Sequence, residues 1–133
     1  MKLICIIDDD STHRKVLEYN LTSQNYEVRS FASGSEFMKQ TFTEPPFAII
    51  LDHYLKEDKT GLDYLKDIKK KIPKVPVIYM TNETDSDLIR QIKESKASGY
   101  IAKDPASLVR LRTLLDEITQ KSESSWLSKI FKK

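Results

Sequence analysis

Phe47-Ala48-Ile49-Ile50-Leu51-Asp52 is an apolar run that stops on an acid. Three other stretches share its design. Leu3-Ile4-Cys5-Ile6-Ile7 ends on the doublet Asp8-Asp9, residues 75–81 end on Thr81, and Tyr100-Ile101-Ala102 ends on Lys103. Short, continuous apolar runs rich in β-branched residues read as strands buried on both faces. In a parallel sheet their carboxyl ends share one rim, which is where ligands of open α/β sheets bind. Three carboxylates, a hydroxyl and an ammonium are thereby expected to face one another, a set suited to a divalent cation and a phosphoryl group.

The segments between these strands read as helices. Ser11 is expected to cap a helix running to about residue 23, with Val16, Leu17 and Leu21 as its inner stripe. Residues 26–30 alternate and suit an edge strand. Ser33-Gly34-Ser35 opens a second helix carrying Phe37, Met38 and Phe42, which Pro45-Pro46 stops. Gly61 to Lys71 is the third helix, with Leu62, Leu65 and Ile68 inward. A fourth follows Asp85, with Leu88, Ile89 and Ile92 inward. Pro105 suits the first turn of a fifth, whose stripe is Leu108, Val109, Leu111, Leu114, Leu115 and Ile118. Strict βα alternation, five times over, predicts an α/β doubly wound parallel sheet. Five units cannot close an eight-stranded barrel.

Composition narrows the function. The chain has 133 residues, the size of one domain, and 22 basic against 20 acidic residues give a net charge of +2. So small an excess argues against a dedicated nucleic-acid surface. The single cysteine, Cys5, lies inside a strand run, excludes an intramolecular disulfide and reads as a buried hydrophobe. There is no stretch of about 18 apolar residues and no signal-peptide pattern, so a cytoplasmic location is expected.

Asp8, Asp9 and Asp52 crowded at one rim would repel each other, and a hard cation such as Mg²⁺ relieves this through oxygen ligands. Asp52 is then a candidate nucleophile, since carboxylates form aspartyl phosphates. The Thr81 hydroxyl could donate to a phosphoryl oxygen, and the Lys103 ammonium could pair with Asp52 and then with the phosphoryl group. Taken singly, each has an ordinary explanation as a loop acid, a helix cap or a solvated lysine. The set in this topology is what points to chemistry. Tyr100 is expected to change rotamer as Thr81 moves, altering the face formed by the fourth helix, fifth strand and fifth helix.

The motifs Ile6-Ile7-Asp8-Asp9-Asp10-Ser11, Ile49-Ile50-Leu51-Asp52, Tyr79-Met80-Thr81 and Ala97-Ser98-Gly99-Tyr100-Ile101-Ala102-Lys103 resemble the receiver domain of two-component response regulators, over roughly residues 2–120. The resemblance implies a flavodoxin-like fold with strand order 2-1-3-4-5. It implies transfer of a phosphoryl group to Asp52 from a histidine kinase or histidine phosphotransfer protein. It also implies Mg²⁺ bound by Asp9, Asp52 and the Tyr54 carbonyl, with Asp8 acting mainly through water. Tyr54 and Glu83 fall where receivers tune phosphoryl lifetime.

Several residues depart from that pattern. Lys56 stands where many receivers have proline, and Gly61 comes one position late, so the charged loop Lys56-Glu57-Asp58-Lys59-Thr60 is one residue longer. Asn82 replaces a small residue. Asp104 separates Lys103 from Pro105, and a trans Lys103–Asp104 bond is expected.

Residues 1–121 are expected to form the receiver, in the manner of stand-alone chemotaxis regulators. Residues 122–133 are expected to form an amphipathic tail, with Ser122 to Ser125 as linker and Trp126, Leu127, Ile130 and Phe131 on one face of a short helix. For the tail, a helix folded back on the domain, a docking helix for a downstream protein partner and a membrane-surface patch all stay open, the last weakened by its short length. The domain is expected as a monomer or weak homodimer that makes no direct nucleic-acid contact. Two other functions compete with this reading. One is a receiver that binds partners without phosphorylation, favoured by Asn82 and the longer loop. The other is a flavin or nucleotide carrier, disfavoured because the first strand-to-helix turn offers carboxylates where a phosphate needs glycine-rich backbone N–H groups.

Overall fold

The computed structural model describes residues 1–131. Its elements follow in the order β1 (Leu3–Ile7), α1 (Ser11–Thr22), β2 (Glu27–Phe31), α2 (Gly34–Met38), β3 (Ala48–Leu51), α3 (Gly61–Lys71), β4 (Val77–Thr81), α4 (Ser86–Glu94), β5 (Gly99–Ala102) and α5 (Ser107–Phe131). The five strands pair in parallel in the order β2-β1-β3-β4-β5. This is the expected flavodoxin-like sheet.

The two faces of the sheet carry separate cores, because alternate residues of a strand point to opposite sides. Cys5, Ile7, Ile49, Leu51, Val77 and Tyr79 pack with Phe37, Tyr64, Leu65, Ile68 and Ile92 on one side. Ile4, Ile6, Ile50, Ile78, Met80 and Ile101 pack with Leu17, Leu21, Leu111 and Leu115 on the other. Each large side chain so buried contributes roughly 1.5–3 kcal/mol. Cys5 is fully buried as expected, and burial pushes its thiol up to about 12.

Several helices depart from expectation. Asp10, not Ser11, caps α1: its carboxylate accepts from the Thr12 and His13 amides. Val16 is 45% exposed, since Leu17 and Leu21 alone fill the inner stripe. The second helix ends at Met38, so Phe42 lies outside it and reaches the Phe37 ring from the following loop. Two lysine contacts hold that loop: Lys71 Nζ donates to the Met38 and Gln40 carbonyls. Pro105 precedes α5 instead of opening its first turn, in a turn where Asp104 Oδ1 accepts from the Ala106 amide. Val109 is 70% exposed and leaves the inner stripe to its neighbours. The Lys103–Asp104 bond is trans, as expected.

The largest correction concerns residues 122–125. They are helical, and α5 continues through them for 25 residues without a break. Serine tolerates a helix interior when its hydroxyl faces solvent, and all four of these residues are exposed. Lys132 and Lys133, part of the tail reading, lie outside the described residues.

Gly61 is fixed by close approach. A Cβ there would lie 2.3 Å from the Asp52 carbonyl oxygen and 2.4 Å from the Tyr79 hydroxyl. The Gly61 amide also donates to the His53 carbonyl at 2.9 Å, tying the start of α3 to the chain just beyond β3. Gly61→Ala is expected to lower unfolding stability by about 1–3 kcal/mol, the usual range for overpacking. Chemical denaturation measures it, and an unchanged midpoint would mean that the loop after β3 yields freely.

Candidate phosphoryl and metal site

Asp8, Asp9, Asp52, Thr81 and Lys103 come together at the carboxyl ends of β1, β3, β4 and β5. Ligand oxygens of Asp8, Asp9 and Asp52 lie within 4.8 Å of one another, as a shared cation requires. Lys103 Nζ donates to Asp8 Oδ2 at 2.9 Å and to Asp52 Oδ2 at 3.1 Å. The Asp52 carboxylate also accepts the His53 amide at Oδ1, 2.8 Å away. Thr81 is fully buried, and its Oγ1 has no hydrogen-bond partner among the described residues. Such an orphan hydroxyl is costly unless something binds it.

The three acids occupy different environments. Asp8 is 3% exposed, and burial alone would raise its pKa. Hydrogen bonds from His13, the Asp10 amide and Lys103 outweigh that and hold Asp8 at about 2. Burial pushes Asp52 above the usual carboxylate value; the nearby Thr81 hydroxyl and Lys103 oppose this without cancelling it, and the Asp8 charge adds to it. Lys103 is itself raised: burial would lower it, but the carboxylates of Asp8 and Asp52 prevail. Asp9 is less buried, and Lys56 Nζ approaches it at 3.7 Å from a side chain that is 87% exposed. An exposed pair of this kind contributes little.

Both histidines of the chain also sit at the site, and neither was singled out from the sequence. His13 Nδ1 lies 2.6 Å from Asp8 Oδ2 and must donate, because an ionised carboxylate only accepts. His13 is one turn into α1 beyond the acidic triplet, and that spacing was the available signal. His53 Nδ1 lies 2.6 Å from the Tyr79 hydroxyl in the core beneath Asp52, and burial lowers its pKa. No sequence signal marks that pair, which joins the segment after β3 to β4.

The charged loop turns inward. Glu57 accepts from the Gly34 and Ser35 amides and from the Tyr64 hydroxyl, closing the start of α2. Lys56 adopts φ 53°, a left-handed conformation uncommon for a side chain of its kind. Beside the site, the Tyr54 hydroxyl donates to the Glu83 carboxylate, bridging the loops after β3 and β4. Tyr100 pairs with Tyr79 across β4 and β5, half-buried, with Lys93 Nζ 5.9 Å from its ring centroid.

The signs of the two acid shifts predict opposite mutant behaviour without metal. A depressed pKa means that Asp8 stabilises the fold above its ordinary value of 3.8 and loses this as pH falls toward about 2. Asp8→Asn is expected to cost about 2 kcal/mol at neutral pH by taking one of two carboxylates from the buried Lys103 ammonium. A raised pKa means that the Asp52 charge works against folding at neutral pH, so Asp52→Asn is expected to stabilise by about 1 kcal/mol. Thermal unfolding in chelator measures both, and equal signs would contradict this assignment of charges.

Comparison with known proteins agrees with this geometry. The response regulator receiver domain family matches residues 4–116. The DNA-binding transcriptional regulator NtrC of Klebsiella pneumoniae is 36% identical over 98 residues, covering 74% of this chain and 21% of its own length. The two-component response regulator ORR11 of Oryza sativa subsp. indica is 29% identical over 112 residues, covering 81% of this chain and 76% of its own. The chain therefore spans about one fifth of the NtrC relative. A response regulator receiver protein from Pseudoalteromonas atlantica superposes with a TM-score of 0.79 at 22% identity, covering 90% of this chain and 98% of that one. With the family matched over residues 4–116, most of its length, this chain belongs to the response regulator receiver domain family.

Proposed function

We propose that this receiver is a phosphorylation switch in which Asp52 takes a phosphoryl group from a histidine kinase or histidine phosphotransfer protein. The observation that carries the reading is the position of Asp52, which shares Lys103 with Asp8 while lying in a three-acid cluster. Attack by an Asp52 oxygen on phosphorus breaks the phosphorus–nitrogen bond of a phosphohistidine, and the imidazole leaves. Asp9, Asp52 and the Tyr54 carbonyl would hold Mg²⁺, with Asp8 reaching it through water. The ion supplies charge screening and a template for the phosphoryl oxygens. Lys103 then exchanges the Asp52 carboxylate for a phosphoryl oxygen.

The buried Thr81 hydroxyl finds its missing acceptor in another phosphoryl oxygen. Its movement frees space beside β5, and Tyr100 follows, changing the α4–β5–α5 face presented to a downstream protein partner. The domain works in the cytoplasm, as a monomer or weak homodimer, without touching nucleic acid itself. Among the described residues no helix is long and apolar enough to cross a membrane.

Two measurements test this. Intact mass after incubation with Mg²⁺ and acetyl phosphate is expected to show one phosphoryl adduct, absent without Mg²⁺ and absent in Asp52→Ala. No adduct on the wild type would favour a module that binds partners without phosphorylation. The Tyr54–Glu83 bridge is expected to slow water entry. Replacing both with alanine should speed loss of the adduct about tenfold, equivalent to about 1.4 kcal/mol on the barrier. An unchanged rate would remove the bridge from the account.

A further inference from the structure

We propose that the projecting end of α5, together with the basic rim around its base, docks on an anionic lipid surface. Two separate observations meet here. The first is the extension of the helix beyond the sheet. Around Leu114 to Ser122, α5 lines a groove with Pro46, Phe47, Lys74 and Pro76, which lie before β3 and β4. Lys2 Nζ donates to Thr119 Oγ1 at the same end. The groove places residue 122 at the amino-terminal rim of the strands, and residues 123–131 run about 13 Å beyond it at 1.5 Å per residue.

Every one of these residues is exposed, including Trp126 at 61%, Leu127 at 45%, Ile130 at 52% and Phe131 at 74%. At 3.6 residues per turn these four fall within an arc of about 140°, with Ser128 and Lys129 opposite. Ser124, Ser125, Ser128 and Lys129 form its polar back, Glu123 falls on the apolar side one turn earlier, and the two charges cancel, so the stub supplies the apolar, aromatic arc of an interfacial helix and the rim supplies the positive charge. The sequence adds Lys132 and Lys133, whose placement is outside the described residues.

The second observation is the charge of the rim from which the stub projects. Lys70, Lys71, Lys74, Lys93 and Lys96 sit at the ends of α3 and α4 or in the loops following them, and Lys121 lies on α5 in the groove lining, against Glu44, Glu94, Glu117 and Glu123. Lysines in a last turn complement the helix dipole and need no further explanation. Lys74 and Lys96 lie beyond their helices, where that explanation fades. Basic side chains beside an amphipathic helix are attracted to anionic headgroups and make up for the stub's short length.

The same charge argues against a second copy as the occupant, since pairing two stubs would bring two basic rims together. The acids Asp8, Asp9 and Asp52 lie at the opposite rim, so lipid docking leaves them facing away from the surface. The inference does not depend on phosphorylation.

The test uses the whole chain and phosphatidylcholine vesicles with and without phosphatidylglycerol. Trp126, the only tryptophan, is the reporter. Flotation with the anionic vesicles alone is expected, with a blue shift of the Trp126 emission and loss of binding in high salt. Ile130→Asp should abolish flotation, and Lys70→Glu with Lys74→Glu should weaken it by about tenfold or more. These side chains are exposed, so circular dichroism should match the wild type. Equal binding to both vesicle types, or none to either, overturns the proposal. So does a blue shift that grows with protein concentration without vesicles, which assigns the stub to a second copy.

Discussion

Lys103 makes this rim tenable. Its ammonium lies between Asp8 and Asp52, at 2.9 and 3.1 Å, and gives two buried carboxylates one counter-ion. A buried ion pair stabilises only when the remaining polar atoms are satisfied. Asp8 meets that condition through His13 and the Asp10 amide. Asp52 meets it less fully, with one amide and one lysine for a carboxylate that burial holds above its usual pKa. The site is thus stable on the Asp8 side and electrostatically unfinished on the Asp52 side. That imbalance suits the phosphoryl-accepting role proposed for Asp52.

The scaffold serves the imbalance. Parallel pairing brings four strand ends to one rim, and Gly61 lets α3 close against the Asp52 carbonyl and the Tyr79 hydroxyl. Beneath them the His53–Tyr79 bond ties the residue after Asp52 to the strand that ends in Thr81. The Glu57 carboxylate anchors the longer loop to the start of α2, so its extra residue stays close to the fold.

The fold was legible because buried parallel strands write themselves as continuous apolar runs, each here ending on a polar residue. Asp8, Asp9, Asp52 and Lys103 were legible as a group for the same reason. Helix ends were less so. Phe42 looked like part of α2, whereas it fills the core from a loop that lysine contacts hold in place. Ser122 to Ser125 looked like a linker because serine is a weak helix former, yet α5 runs through them. His13 and His53 escaped notice because their roles depend on contacts to Asp8 and Tyr79 that follow from three-dimensional placement. Net charge concealed a local bias: Asp8, Asp9 and Asp52 cluster at one rim and lysines outnumber acids at the other, and the sum of +2 records neither.

The central claim is that Asp52, Thr81 and Lys103 form one receptor for a tetrahedral anion carried on Asp52. Fluorine NMR with Mg²⁺ and beryllofluoride tests it most directly. The account predicts bound fluoride resonances that require Mg²⁺, are lost in Asp52→Ala, and shift in Thr81→Ala and in Lys103→Ala. Wild-type protein giving only the resonances of free beryllofluoride at saturating Mg²⁺ would contradict it.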